Sequence, residues 1–74
     1  MKDSMHSGGA IQMLRLRQVC KLTGLGRSMI YQLEHNQSFP SRVRLSSHSV
    51  GWVESEVQQW LAQRIAASRR RKDP

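Results

Sequence analysis

Between residues 13 and 68 the apolar positions change period several times, and each change marks an element. In "MLRLRQVCKLTG", Leu14 and Leu16 alternate with Arg15 and Arg17, which suits a short extended segment. Val19 and Leu22 are then three apart, so a brief helix over about 17–23 is predicted, with both on one face. Gly24 ends it, because glycine accepts the left-handed backbone of a helix C-terminus, and Leu25 plugs the turn. Gly26 stands where the next helix is capped; glycine is tolerated there, although serine or threonine caps better.

A second helix is predicted over 27–35. Ile30 and Leu33 point inward, with Met29 or Glu34 at the margin. Arg27, Ser28, Tyr31, Gln32 and His35 take the remaining surface. Asn36 is expected as the left-handed stop, and Pro40 forbids continuation while pushing Phe39 towards extended geometry. "SRVRLSSHSVGWV" reads as a hairpin with Val43 and Leu45 on an inner face and Arg42 and Arg44 facing out. Its tip is "SSHS", after which Val50 and Trp52 resume the alternation. The last helix carries Val57, Trp60, Leu61 and Ile65 at i, i+3, i+4 and i+8. Ser55 and Gln58 have the spacing of a capping box, and Glu54, Glu56 and Arg64 suit the helix dipole.

The expected fold is therefore mostly α with a small β-hairpin, in the order helix, helix, hairpin, helix. Phe39, Trp52 and Trp60 are expected to supply much of the core. Residues 1–12 read as a disordered leader, 13–68 as one folded domain and 69–74 as a basic tail.

Composition narrows the function. The chain of 74 residues carries a formal charge of +7 and a pI near 11.2, which favours a polyanionic partner. In 13–68, six of the basic residues precede residue 45, and Glu34 is the only acid that does. A single cysteine, Cys20, excludes an internal disulfide and suits a reducing cytoplasm. No run approaches the roughly 18 apolar residues of a membrane span. His6, His35 and His48 lack neighbours at ligand spacing, so neither a metal site nor a cofactor is expected. Cys20 reads as a small core residue, and no constellation suggests an enzyme.

Two short helices joined by "TGLG" fit a helix-turn-helix, whose second helix enters a major groove about 12 Å wide. Arg27, Ser28, Tyr31 and Gln32 would then reach base edges. The same spacing suits an ordinary helical hairpin. The hairpin that follows, with Arg42, Arg44 and a Ser47–His48 tip, has the makings of a wing on phosphates or in the minor groove. A charge-guarded sheet edge is the plainer alternative. The tail either adds phosphate contacts or solubilises the terminus.

As a combination, the lead-in "LRLRQVCKL", "TGLGRSMIY", "FPSRVRL", "VGW" and "ESEVQQWL" resembles the AlpA family of small prophage regulators, over about two-thirds of the chain. These are relatives of phage excisionases within the MerR-like winged helix-turn-helix group. The family usually has serine at the position of Gly26, and often has Gly, Pro or Arg at the wing tip where this chain has "SSHS". The resemblance implies a sequence-specific regulator of phage or mobile-element genes that binds double-stranded DNA in the bacterial nucleoid. It implies reading contacts from Arg27, Ser28, Tyr31 and Gln32, and wing contacts from Arg42, Arg44, Ser47 and His48. It adds phosphate contacts from Arg17 and Lys21. Integrase or RNA polymerase are the implied protein partners. The last helix lacks a long heptad extension, so a monomer is expected, with cooperativity on DNA. The alternatives are an excisionase that bends attachment-site DNA and an adaptor that turns the same basic face to an acidic protein.

Overall fold

The computed structural model describes residues 10–71. In chain order they form β1 (Met13–Leu14), α1 (Leu16–Thr23), α2 (Arg27–His35), β2 (Val43–Ser46), β3 (Ser49–Val53) and α3 (Glu54–Arg70). The three strands make one antiparallel sheet in the order β1-β3-β2. The expected helix-helix-hairpin-helix order is present, and the lead-in segment joins the hairpin as a third strand through Met13–Val53 and Leu14–Trp52 pairing.

Backbone chemistry sets the helix ends. Gly24 closes α1 at φ +78°, with its N–H on the Cys20 carbonyl at 2.8 Å. Thr23 reinforces the turn: its Oγ1 donates to the Val19 carbonyl at 2.8 Å and accepts the Leu25 N–H at 3.2 Å. Gly26 caps α2 with extended geometry and no side-chain bond. At the other end of α2 the sequence expectation shifts by one residue. Asn36 has φ −85°, and the left-handed position is Gln37 at φ +61°. The N–H groups of Gln37 and Ser38 thereby reach the carbonyls of Glu34 (3.0 Å) and Leu33 (2.8 Å).

The core consists of Leu14, Val19, Ile30, Phe39, Trp52 and Val57. Leu16, Cys20, Leu25, Leu33, Val50 and Trp60 pack around it. Trp52 is fully buried, and its Nε1–H lacks a hydrogen-bond partner among the described residues. On the helices, two residues expected inside are exposed. On α1 the stripe turned inward is Leu16, Val19, Cys20 and Thr23, which leaves Leu22 on its flank. On α3 every described residue after Leu61 is exposed, Ile65 among them.

Two boundaries also differ from the sequence reading. The helix α3 begins at Glu54, ahead of the proposed Ser55–Gln58 box, and has no side-chain cap. Instead the Glu54 N–H is taken by the Gln12 carbonyl at 2.8 Å. A related contact forms on α1, where Gln18 Oε1 accepts the Arg15 N–H at 2.8 Å. At its far end α3 continues through Arg70, so Arg69 and Arg70 of the expected tail are helical. Within the expected leader, residues 1–9 lie outside the described residues.

Candidate nucleic-acid interface

The hairpin has the opposite facing from the one its alternation suggested. Directly paired residues share a face of the sheet. Val43 pairs with Gly51, and Arg44 pairs with Val50, which is in step with buried Trp52. The arginines are therefore on the side that carries the core, and Val43 and Leu45 are exposed on the outer side. A strictly alternating strand offers two faces, and the bulk of Trp52 decides which of them turns inward. On the outer side, Leu45 Cδ1 and Met13 Cε close over Gly51 to 3.0 and 3.4 Å from where a Cβ would stand.

The helix α2 presents Arg27, Ser28, Tyr31 and Gln32 to solvent, as the sequence predicts. Ile30, fully buried, anchors the opposite side. Arg17 and Lys21, one turn apart on α1, are exposed too. Lys21 lies on the α1–α3 side, where it lines a shallow groove with Leu14, Gln18, Leu22 and Glu54.

At the hairpin tip, Ser47 and His48 are exposed and tied to their neighbours. The Ser46 and Ser49 hydroxyls are 2.7 Å apart, and the His48 N–H donates to Ser46 Oγ at 3.3 Å. Ser47 Oγ lies 3.3 Å from His48 Nδ1. Neither tip residue has a positive φ, so this is not one of the primed turns usual in two-residue hairpins. A register irregularity between Arg44 and Ser46 accompanies it.

Arg42 is the expected site residue whose surroundings differ most from the sequence reading. Its backbone N–H donates to Glu34 Oε2 at 2.7 Å. Its Nε donates to both carboxylate oxygens at 3.1 Å, and Nη2 donates to Oε1 at 2.5 Å. Its guanidinium carbon also stands 5.0 Å from the centre of the Tyr31 ring and 5.6 Å from that of Trp52. The Glu34 carboxyl is held below its ordinary value of 4.5, first by hydrogen bonds from the Arg42 side chain, against the opposing effect of burial. The same bonds raise Arg42 above its usual range. Glu34 was visible in the sequence as the lone acid among the early basic residues. Its partner is eight residues away, beyond the reach of helical spacing rules.

The connection between α2 and β2 is fixed at a second point. Trp60 Nε1–H donates to the Ser38 carbonyl at 2.6 Å, and the Phe39 and Trp60 rings meet edge to face at 4.8 Å. The arrangement thus comprises an exposed α2 face, a short hairpin beside it and a connection pinned to both α2 and α3. Among the described residues no group of His, Cys, Asp and Glu has the makings of a metal site. None of their helices is long and apolar enough to cross a membrane.

Three helices and a small antiparallel sheet in this order are consistent with a winged helix-turn-helix. The chain belongs to the family of the prophage CP4-57 regulatory protein AlpA, which matches residues 12–65. It is 45% identical over 60 residues to the uncharacterized protein ORF88 of Enterobacteria phage P4, covering 81% of this chain and 68% of the relative. It is 36% identical over 66 residues to the DNA-binding transcriptional activator AlpA of Escherichia coli K12, covering 81% of this chain and 94% of that one. No solved structure matches the chain.

Proposed function

We propose that this chain is a sequence-specific DNA-binding regulator of phage or mobile-element type. In this reading α2 lies in the major groove, with Arg27, Ser28, Tyr31 and Gln32 at base edges. The hairpin lies over the adjacent backbone or minor groove, contributing Arg44, Ser47 and His48. Arg17 and Lys21 of α1 supply phosphate contacts. The observation that carries the proposal is the exposed polar face of α2, a single helix side with hydrogen-bonding groups from Arg27 to Gln32. The named activity of the Escherichia coli relative supports it. The domain acts as a monomer in solution and cooperatively on DNA, with its own concentration as the signal. RNA polymerase or an integrase is the protein it works beside.

The test is titration with duplex DNA at physiological salt, followed by footprinting on the DNA of the element that carries the gene. One protected site at a promoter is expected. Tandem sites beside an attachment sequence would make it an excisionase instead. Binding no tighter than to an acidic polymer would overturn the DNA reading and favour a protein partner.

A further inference from the structure

We propose that Arg42 is a positioning residue and not a phosphate contact: clamped by Glu34, it fixes the hairpin to the last turn of α2 and orients Tyr31. The inference rests on the DNA-binding reading and assigns a separate task within it.

Three observations carry it. First, one carboxylate receives both the backbone N–H and the side chain of the same residue. This ties the start of the hairpin as well as the guanidinium to α2. A flexible surface ion pair costs side-chain entropy and contributes little, but a planar guanidinium forked onto a carboxylate loses less freedom for each bond. Second, Tyr31 and Glu34 are three apart on α2, so they share a face, and the guanidinium that binds Glu34 also stands over the Tyr31 ring. The ring of a proposed base-contacting residue is thereby held from behind. Third, the Glu34 side chain is only 11% exposed while that of Arg42 is 42% exposed. The acid is sheltered, and the pair is electrically neutral as a unit.

The neutrality separates this role from phosphate binding. A cation on a phosphate releases a counterion and contributes to the salt dependence of binding. A cation already matched by a carboxylate contributes little. The clamp instead acts on geometry: it sets the angle between reading helix and wing, and misplacing a recognition group by about 1 Å is enough to weaken recognition.

The experiment compares the full chain with Glu34→Gln/Arg42→Gln, Arg42→Lys and Glu34→Gln. The two probes are the footprinted duplex and a scrambled duplex of the same composition, each across a salt series. Circular dichroism confirms that each variant is folded. The double variant keeps the unit neutral. It is expected to retain the wild-type salt slope and to lose about fivefold or more in preference for the site, the low end of one misplaced base contact. Arg42→Lys keeps the charge but loses the fork, and is expected to lose preference in the same way.

The opposite pattern overturns the proposal: a slope reduced by about one in the double variant, with wild-type preference in Arg42→Lys. If the double variant does not fold, Glu34→Gln decides. Lower preference supports the clamp. Steeper salt dependence with unchanged preference shows an arginine that Glu34 had only been masking, and rejects it. A wild-type chain with no preference between the probes fails the DNA reading itself, and the proposal with it. That pattern differs from a wild type that discriminates beside variants that discriminate equally well, which rejects the clamp alone.

Discussion

Trp60 donates its indole N–H to the carbonyl oxygen of Ser38 at 2.6 Å, so the last helix grips the connection that leaves α2. The bond meets a backbone group that no strand or helix ladder satisfies. Trp60→Phe removes the donor and retains an aromatic ring for the edge contact with Phe39. The expected cost is about 0.5–1.5 kcal/mol, the usual net worth of one hydrogen bond. Urea denaturation measures it, and an unchanged midpoint would mean that water replaces the bond without loss.

The two glycines of the turn respond differently to a side chain, although at neither site does an atom from beyond the adjacent residues lie within 4 Å of where a Cβ would stand. Gly24 has a left-handed φ of +78°, so Gly24→Ala is destabilising by about 1 kcal/mol through backbone strain alone. Gly26 is extended at φ −81° and ψ 167°, a conformation that any residue adopts. Gly26→Ser adds a hydroxyl that can accept an orphan N–H of α2 and restricts the unfolded chain. It is expected to stabilise by about 0.5–1 kcal/mol. Thermal denaturation of both variants settles the contrast, and equal signs would refute it.

The end of α1 and both ends of α2 were legible in the sequence because backbone constraints write them, whereas the ends of α3 carry no such residue. Gly24 and Pro40 permit few alternatives, and α2 begins and ends at the residues predicted. The hairpin's facing was not legible, because Val43 and Leu45 alternate with Arg42 and Arg44 equally well in either orientation. Only the tertiary demand of burying Trp52 resolves it, and this places Arg42 within reach of Glu34. The exposed α2 residues of the candidate interface followed from the helical period. The Arg42 clamp did not, since it joins elements across a connection whose path the sequence leaves open.

Gly51 shows how closely the sheet is built. A Cβ there would lie 3.0 Å from Leu45 Cδ1 and 3.1 Å from the Leu14 carbonyl oxygen. A leucine side chain can turn away, but the carbonyl belongs to the strand β1 paired with β3. Gly51→Ala is therefore expected to cost about 1–3 kcal/mol by overpacking. Adding Leu45→Ala should recover only part of it, as read by urea denaturation. Full recovery would show that the carbonyl contact imposes no strain.

The Glu34–Arg42 pair makes stability depend on acid in a defined direction. The folded Glu34 carboxyl titrates below its ordinary value of 4.5, so the pair's contribution is fully present above that pH. It is lost as pH falls through the lowered folded value. The contribution is about 1 kcal/mol or less, because the 42% exposure of the Arg42 side chain lets solvent screen the pair. The stability difference between wild type and Glu34→Gln should be constant from neutral pH to about 4.5, then shrink. A difference that persists in stronger acid would exclude ionisation as its source.

Arg27 and Arg44 belong to different parts of the proposed DNA interface, and their alanine variants should fail differently. Arg27 begins α2, where a guanidinium can pair with a base edge through two bonds. Arg27→Ala should weaken specific binding by about 1–3 kcal/mol and relax the choice of base at one position. Arg44 is exposed on β2 with no carboxylate partner among the described residues. Arg44→Ala should weaken binding evenly across sequences and reduce the salt slope by about one, as expected for a lost phosphate contact. Fluorescence titration of labelled duplexes over a salt series gives both quantities. An Arg27→Ala variant that discriminates sequences like the wild type would remove α2 from the reading role. An unchanged slope in Arg44→Ala would remove the hairpin from the phosphate backbone.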